Sequence, residues 1–120
     1  MREFQKSVGK WMVDCFGEKI AYDSKERNFR FLEEALELVQ SNDCTKEDAY
    51  KLVDYVFNRP KGEFKQEVGG VMVTLAALCN IKFRNIDACA WSEYARIVKP
   101  DAMEKIRAKQ VTKEIINKNA

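Results

Sequence analysis

A chain of 120 residues, 46% hydrophobic and 33% charged, fits one soluble globular domain over 1–120 and excludes a disordered segment. The 21 basic and 19 acidic residues leave a net charge of +2, too little for a broad footprint on a nucleic-acid polymer. There is no histidine, so Ser-His-Asp and Cys-His nucleophile systems are excluded. Acid–base work then falls to carboxylates, lysines, tyrosines or metal-bound water.

Only 5 Gly and 2 Pro punctuate the chain, which predicts an all-α bundle of about five to six helices with short connections. Phe4, Val8, Met12 and Cys15-Phe16 recur at helical spacing, predicting a first helix over Glu3–Phe16 that Gly17 terminates. Glu18 to Ser24 reads as a loop. Ser24 is expected to cap a second helix reaching Gln40, followed by a turn at Ser41-Asn42-Asp43. Thr45 caps a third, with Glu47 and Asp48 in its first turn, ending near Asn58-Arg59 ahead of Pro60. The fourth runs from about Gly62–Phe64 to Ile81. Asn85 or Asp87 opens a fifth, Pro100 interrupts, and Asp101 caps a sixth toward Asn117. No internal repeat is visible.

The four cysteines, Cys15, Cys44, Cys79 and Cys89, form no CxxC pair, so a cysteine zinc site is not expected. Cys79 and Cys89 read as small core residues. The opening Met1-Arg2-Glu3-Phe4-Gln5-Lys6 is not a signal peptide, and the longest apolar run, Val68 to Cys79, is too short to cross a bilayer. A cytoplasmic protein with reduced thiols, without a membrane partner, is expected.

Two predicted helices carry candidate chemistry. On the second, Phe31, Leu32, Ala35, Leu36, Leu38 and Val39 fill one side, while Glu33, Glu34 and Glu37 gather on the other within an arc of about 100°. Like charges at i,i+3 and i,i+4 destabilise a helix by a few tenths of a kcal/mol per pair. A divalent cation would offset that, because Mg²⁺ prefers hard oxygen ligands. A solvated helix face is the alternative. The fourth helix, Val68 to Cys79, is apolar or small all round, which predicts burial in a bundle or between subunits. Glu67 stands at its entrance, and the Gly69-Gly70 pair suggests close approach by a neighbouring helix or ligand. From Lys99 onward Lys105, Arg107, Lys109, Lys113 and Lys118 outnumber Asp101, Glu104 and Glu114, forming either a solvated face or a phosphate-facing strip.

Arg30-Phe31-Leu32-Glu33-Glu34-Ala35-Leu36-Glu37-Leu38, followed by Glu67-Val68-Gly69-Gly70, resembles the MazG-like family of all-α nucleoside triphosphate pyrophosphohydrolases, which carries EExxE and then ExxD. Phe4-Gln5 with Trp11, and Ile86-Asp87, resemble the flanking segments, so the likeness covers roughly residues 4–110. It implies Mg²⁺, with Mn²⁺ as a substitute, held by Glu34, Glu37 and Glu67, while Glu33 orients or deprotonates the attacking water. It further implies cleavage between the α and β phosphates of a nucleoside triphosphate, a dNTP in the first instance, in a homodimer or homotetramer. Lys99, Lys105, Lys109, Arg27 and Arg30 are the candidate phosphate clamps, and Gln5 and Trp11 the candidates to face the base. The chain departs from the pattern at Gly70, where the family has Asp. Water replaces that ligand, another acid such as Asp87 moves in, or the protein binds nucleotide without turnover.

Overall fold

The computed structural model describes residues 1–119, with side chains through residue 116. Among these residues the chain is all-α, with seven helices: α1 (Arg2–Phe16), α2 (Glu18–Ala21), α3 (Ser24–Ser41), α4 (Lys46–Phe57), α5 (Phe64–Ile81), α6 (Ile86–Ile97) and α7 (Pro100–Asn119). Six are the expected ones. The seventh is the short α2, in the stretch expected to be a loop.

The helix ends follow local chemistry. Gly17 closes α1 at φ 81° and ψ 165°, its N–H donating to Val13 O. That region of backbone space is open essentially to glycine alone. Asp23, not Ser24, caps α3, because its Oδ1 accepts from Glu26 N at 3.1 Å and Ser24 already lies in the first turn. Pro100 takes the first position of α7, where its missing N–H costs nothing. Asp101 therefore falls inside the helix rather than capping it.

A repeat invisible in the residues emerges in the backbone. The α3–α4 pair has lengths of 18 and 12 residues, and the α5–α6 pair has the same. The two connections match bond for bond. Cys44 N donates to Val39 O at 2.9 Å, and Arg84 N to Cys79 O at 2.9 Å. The left-handed residue is Asp43 (φ 69°) in one and Phe83 (φ 55°) in the other. Thr45 and Asn85 then cap the following helices.

The closest helix packing joins α1 to α2, α6 and α7. Trp11 anchors it, 9% exposed, with Nε1 donating to Ile97 O at 3.0 Å and its ring set edge-on to Phe16. Arg107 of α7 donates to the carbonyls of Cys15 and Asp14, closing the end of α1. Phe4, Trp91 and Tyr94 continue the packing as edge-to-face rings.

By contrast, α4, α5 and α6 contain no buried residue. Phe57 and Phe64 are each 82% exposed, and Tyr50, Leu52, Tyr55, Val68 and Val73 also face solvent. A Cβ added at Gly69 or Gly70 would meet open space, so no neighbour among the described residues approaches that pair. Cys89 is exposed rather than a core residue, and Cys15 is the buried cysteine. The surface area is 10155 Å², against about 6,700 Å² for a compact monomer of this mass. The radius of gyration is 15.7 Å, against about 13.6 Å for a compact chain of this length. No described helix is long and apolar enough to cross a membrane.

Two glycines in α1 and at its end predict opposite responses to alanine. Gly17→Ala should destabilise by about 1–3 kcal/mol because of its backbone conformation. Gly9→Ala, mid-helix with free space at Cβ, should stabilise by about 0.5–1 kcal/mol. Urea midpoints of the two variants at one protein concentration check both signs.

Candidate functional site

The second half of α3 turns its acidic face toward α1, α6 and α7. A cavity of about 650 Å³ opens there, lined by Trp11, Met12 and Phe16 from α1, Ile97 from α6 and Ile106 from α7. The charged lining comprises the acids Glu33, Glu34, Glu37 and Glu93 and the bases Arg27, Arg30, Arg96, Lys109 and Lys113. The volume is that of a small-molecule site.

A buried polar chain fixes one wall. Glu26 is 8% exposed and Gln110 is 5% exposed. Gln110 Nε2 donates to Glu26 Oε1 at 2.9 Å, and Arg30 Nε lies 3.1 Å from the same oxygen. Arg30 Nη1 reaches on to Glu33 Oε1 at 3.2 Å, and Lys113 Nζ meets that oxygen at 2.9 Å. Both cations fall on Oε1 of Glu33, which leaves Oε2 as the oxygen able to meet water. On α6 Arg96 grips Glu93 as a fork, Nε to Oε1 at 2.8 Å and Nη2 to Oε2 at 2.7 Å. That fork lowers the Glu93 pKa from its ordinary value.

Glu34 and Glu37 differ from these neighbours. Neither takes part in a hydrogen bond or ion pair among the described residues. Although Glu34 is exposed as a residue, its carboxyl loses hydration at the cavity wall. That loss, then the charges of Glu37 and Glu33, raises its pKa above the usual value, against the pull of Lys113.

The predicted site residues divide. Glu33, Glu34, Glu37, Trp11, Arg30, Lys109 and Arg27 line one cavity. Glu67 does not. It is exposed and its carboxylate folds back on the preceding turn, where a Cβ at Gly62 would stand 2.7 Å from Oε1. Gln5, Lys99, Lys105 and Asp87 are exposed and lie outside the cavity lining. The side chain of Lys118 falls outside the described residues. Trp11 is largely consumed by packing, which leaves little ring for a base. Glu93, Arg96, Lys113 and Gln110 join the site from α6 and α7. For Glu93 and Arg96 the sequence signal was an i,i+3 pair, indistinguishable from a surface ion pair.

No group of three or more potential metal ligands converges among the described residues. What remains is a crowded pair, Glu34 and Glu37, with no ion pair among the described residues. That donor set fits Mg²⁺, which binds through one or two carboxylates and fills its octahedron with water and substrate phosphate. Comparison of the chain with protein-family models, with curated proteins and with solved structures finds no match.

The raised Glu34 pKa has a definite sign. Its charge costs stability, so the folded state is favoured below the unfolded carboxylate pKa and loses that advantage as pH rises through the folded value. Glu34→Gln should therefore raise the metal-free Tm at pH 7 by about 1–3 °C, from a few tenths of a kcal/mol per like-charge pair. The gain should vanish near pH 4. Paired thermal melts at both pH values in EDTA check it.

Proposed function

We propose that this chain is a MazG-like nucleoside triphosphate pyrophosphohydrolase, acting on a nucleotide held in the cavity between α1, α3, α6 and α7. The observation that carries the reading is that one cavity is lined by two carboxylates outside any ion pair, Glu34 and Glu37, and by five cationic side chains. Among the described residues Glu34 and Glu37 take part in no hydrogen bond or ion pair, and Arg27 and Lys109 of the same lining take part in no ion pair. A metal–polyphosphate complex presents the complementary pattern, a cation followed by a chain of anionic oxygens.

In this reading Glu34 and Glu37 hold Mg²⁺, or Mn²⁺ in its place. The ion, when bound, neutralises phosphate oxygens and makes the phosphorus a better electrophile. Glu33, anchored by Arg30 and Lys113, offers Oε2 to orient the attacking water and accept its proton. Lys109 at the cavity wall neutralises charge on the phosphate chain. The products are a nucleoside monophosphate and pyrophosphate. Binding without turnover is the second reading, supported by Gly70 at the motif Asp position and by the absence of a converged three-ligand set among the described residues.

The reading includes homo-oligomerisation. Each chain carries a surplus of about 3,500 Å² over a compact monomer, or about 7,000 Å² over two copies, enough surface for a large obligate interface. Part of the surplus is the apolar surface of α4 and α5, where Tyr55, Phe57, Phe64 and Val73 are exposed. A second copy offers the same apolar faces in return.

A pyrophosphate-release screen over (d)NTPs with Mg²⁺ and Mn²⁺ tests the catalytic half. Release is expected for at least one triphosphate, with Glu34→Gln and Glu37→Gln each lowering kcat by at least about 100-fold. Nucleotide-dependent thermal stabilisation without release would favour the second reading, and neither response would sink both. For assembly, light scattering should give a dimer or tetramer mass, and Tyr55→Asp should shift it toward monomer. A monomeric wild type across micromolar concentrations would count against the interface.

A further inference from the structure

We infer that Arg27 is the anion receiver of the cavity, taking a phosphoryl oxygen of a polyphosphate chain; the inference rests on reading the cavity as a nucleotide site. Five cations line that cavity, and their commitments differ. Arg30 is bound to Glu26 and Glu33, Lys113 to Glu33, and Arg96 to both oxygens of Glu93. Lys109 is exposed and solvated.

Arg27 alone among the five is partly buried and takes part in no ion pair. Its Nε and Nη2 are shielded from solvent and have no hydrogen-bond partner. Among the described residues its side chain makes one hydrogen bond, Nη1 to Met12 Sδ at 3.5 Å, a weak acceptor. Burial, helped by the neighbouring charge of Arg30, pulls its pKa below the usual guanidinium value against the opposing charges of Glu26 and Asp23. Leaving a guanidinium in that state is costly, and an incoming anion removes the cost. Turning the group from Met12 into the cavity exchanges a sulfur contact for charge-assisted, potentially bidentate bonds to phosphate.

Position agrees with chemistry. Arg27 and Glu34 are seven residues apart on α3, two turns or about 10 Å along one face. A polyphosphate bound by metal at Glu34 and Glu37 can therefore run back along the helix to Arg27.

Calorimetric titration with inorganic tripolyphosphate, once in EDTA and once with Mg²⁺, tests this on the full chain. Arg27→Met should bind roughly 10- to 100-fold more weakly than wild type. Arg27→Lys, which keeps charge but not the fork, should fall between them, and Lys109→Met should lose less than Arg27→Met. Without anion, the Tm of Arg27→Met should equal or exceed that of wild type, since an unpaired buried cation has been removed. Wild type that binds in neither condition overturns the inference, as does Arg27→Met with wild-type affinity in both. Should Arg27→Met fail to fold, wild-type affinity in Arg27→Lys overturns the inference. Arg27-dependent binding without pyrophosphate release from any (d)NTP would leave this inference standing and remove the hydrolase reading. Release that is indifferent to Arg27 would do the reverse.

Discussion

The carboxylate of Glu26, buried between Gln110 and Arg30, is the contact on which the site depends. Removing a partner from a buried ion pair costs several kcal/mol, because the remaining charge is left without solvent. Glu26 therefore holds Arg30 in one place, and Arg30 in turn holds Glu33. With Glu33 occupied by Arg30 and Lys113, and Glu93 by Arg96, the repulsion within the acidic face settles on Glu34 and Glu37. The site is thus a matter of which charges are already spent. The same contact ties α3 to α7, so the architecture and the electrostatics of the cavity rest on one buried acid.

The sequence made some of this legible and concealed the rest for identifiable reasons. Helices α1 and α3 to α7 announce themselves through apolar spacing, through Gly17 and through the caps Thr45 and Asn85. A four-residue helix such as α2 is shorter than any such period. Asp23 and Ser24 are both good caps, and only the backbone geometry decides between them. Glu34, Glu37, Glu33, Arg30, Lys109 and Trp11 were visible as candidates because local spacing places the acids on one face and the likeness to a family named the rest. Glu93, Arg96 and Gln110 were not, since nothing local distinguishes a site residue from a solvated one until α6 and α7 dock. Glu67 is the converse case. Its place in a motif suggests proximity to the other acids, yet within one chain it folds back over Gly62.

The repeated helix pairs show how little sequence a backbone motif needs. One left-handed position is Asp43, a residue suited to that conformation, and the other is Phe83, which is not. The hydrogen bonds are nevertheless the same, so the turn is imposed by the helices it joins more than by the residue at its apex. Phe83 is also 95% exposed, which makes it a strained, apolar residue on an apolar flank that the chain leaves uncovered.

The packing of α1 bears on the order in which the chain acquires its structure. Its anchors are distant in sequence: Trp11 bonds to Ile97 O, and the end of α1 is closed by Arg107. The helix pairs, by contrast, close connections of a few residues and lose little loop entropy in doing so. During synthesis α1 leaves the ribosome ahead of the other helices described, yet its long-range partners α6 and α7 come last. Until α6 and α7 emerge only α2 and the start of α3 can pack against it, and the cavity does not exist. Loss of the last helix would therefore release the first.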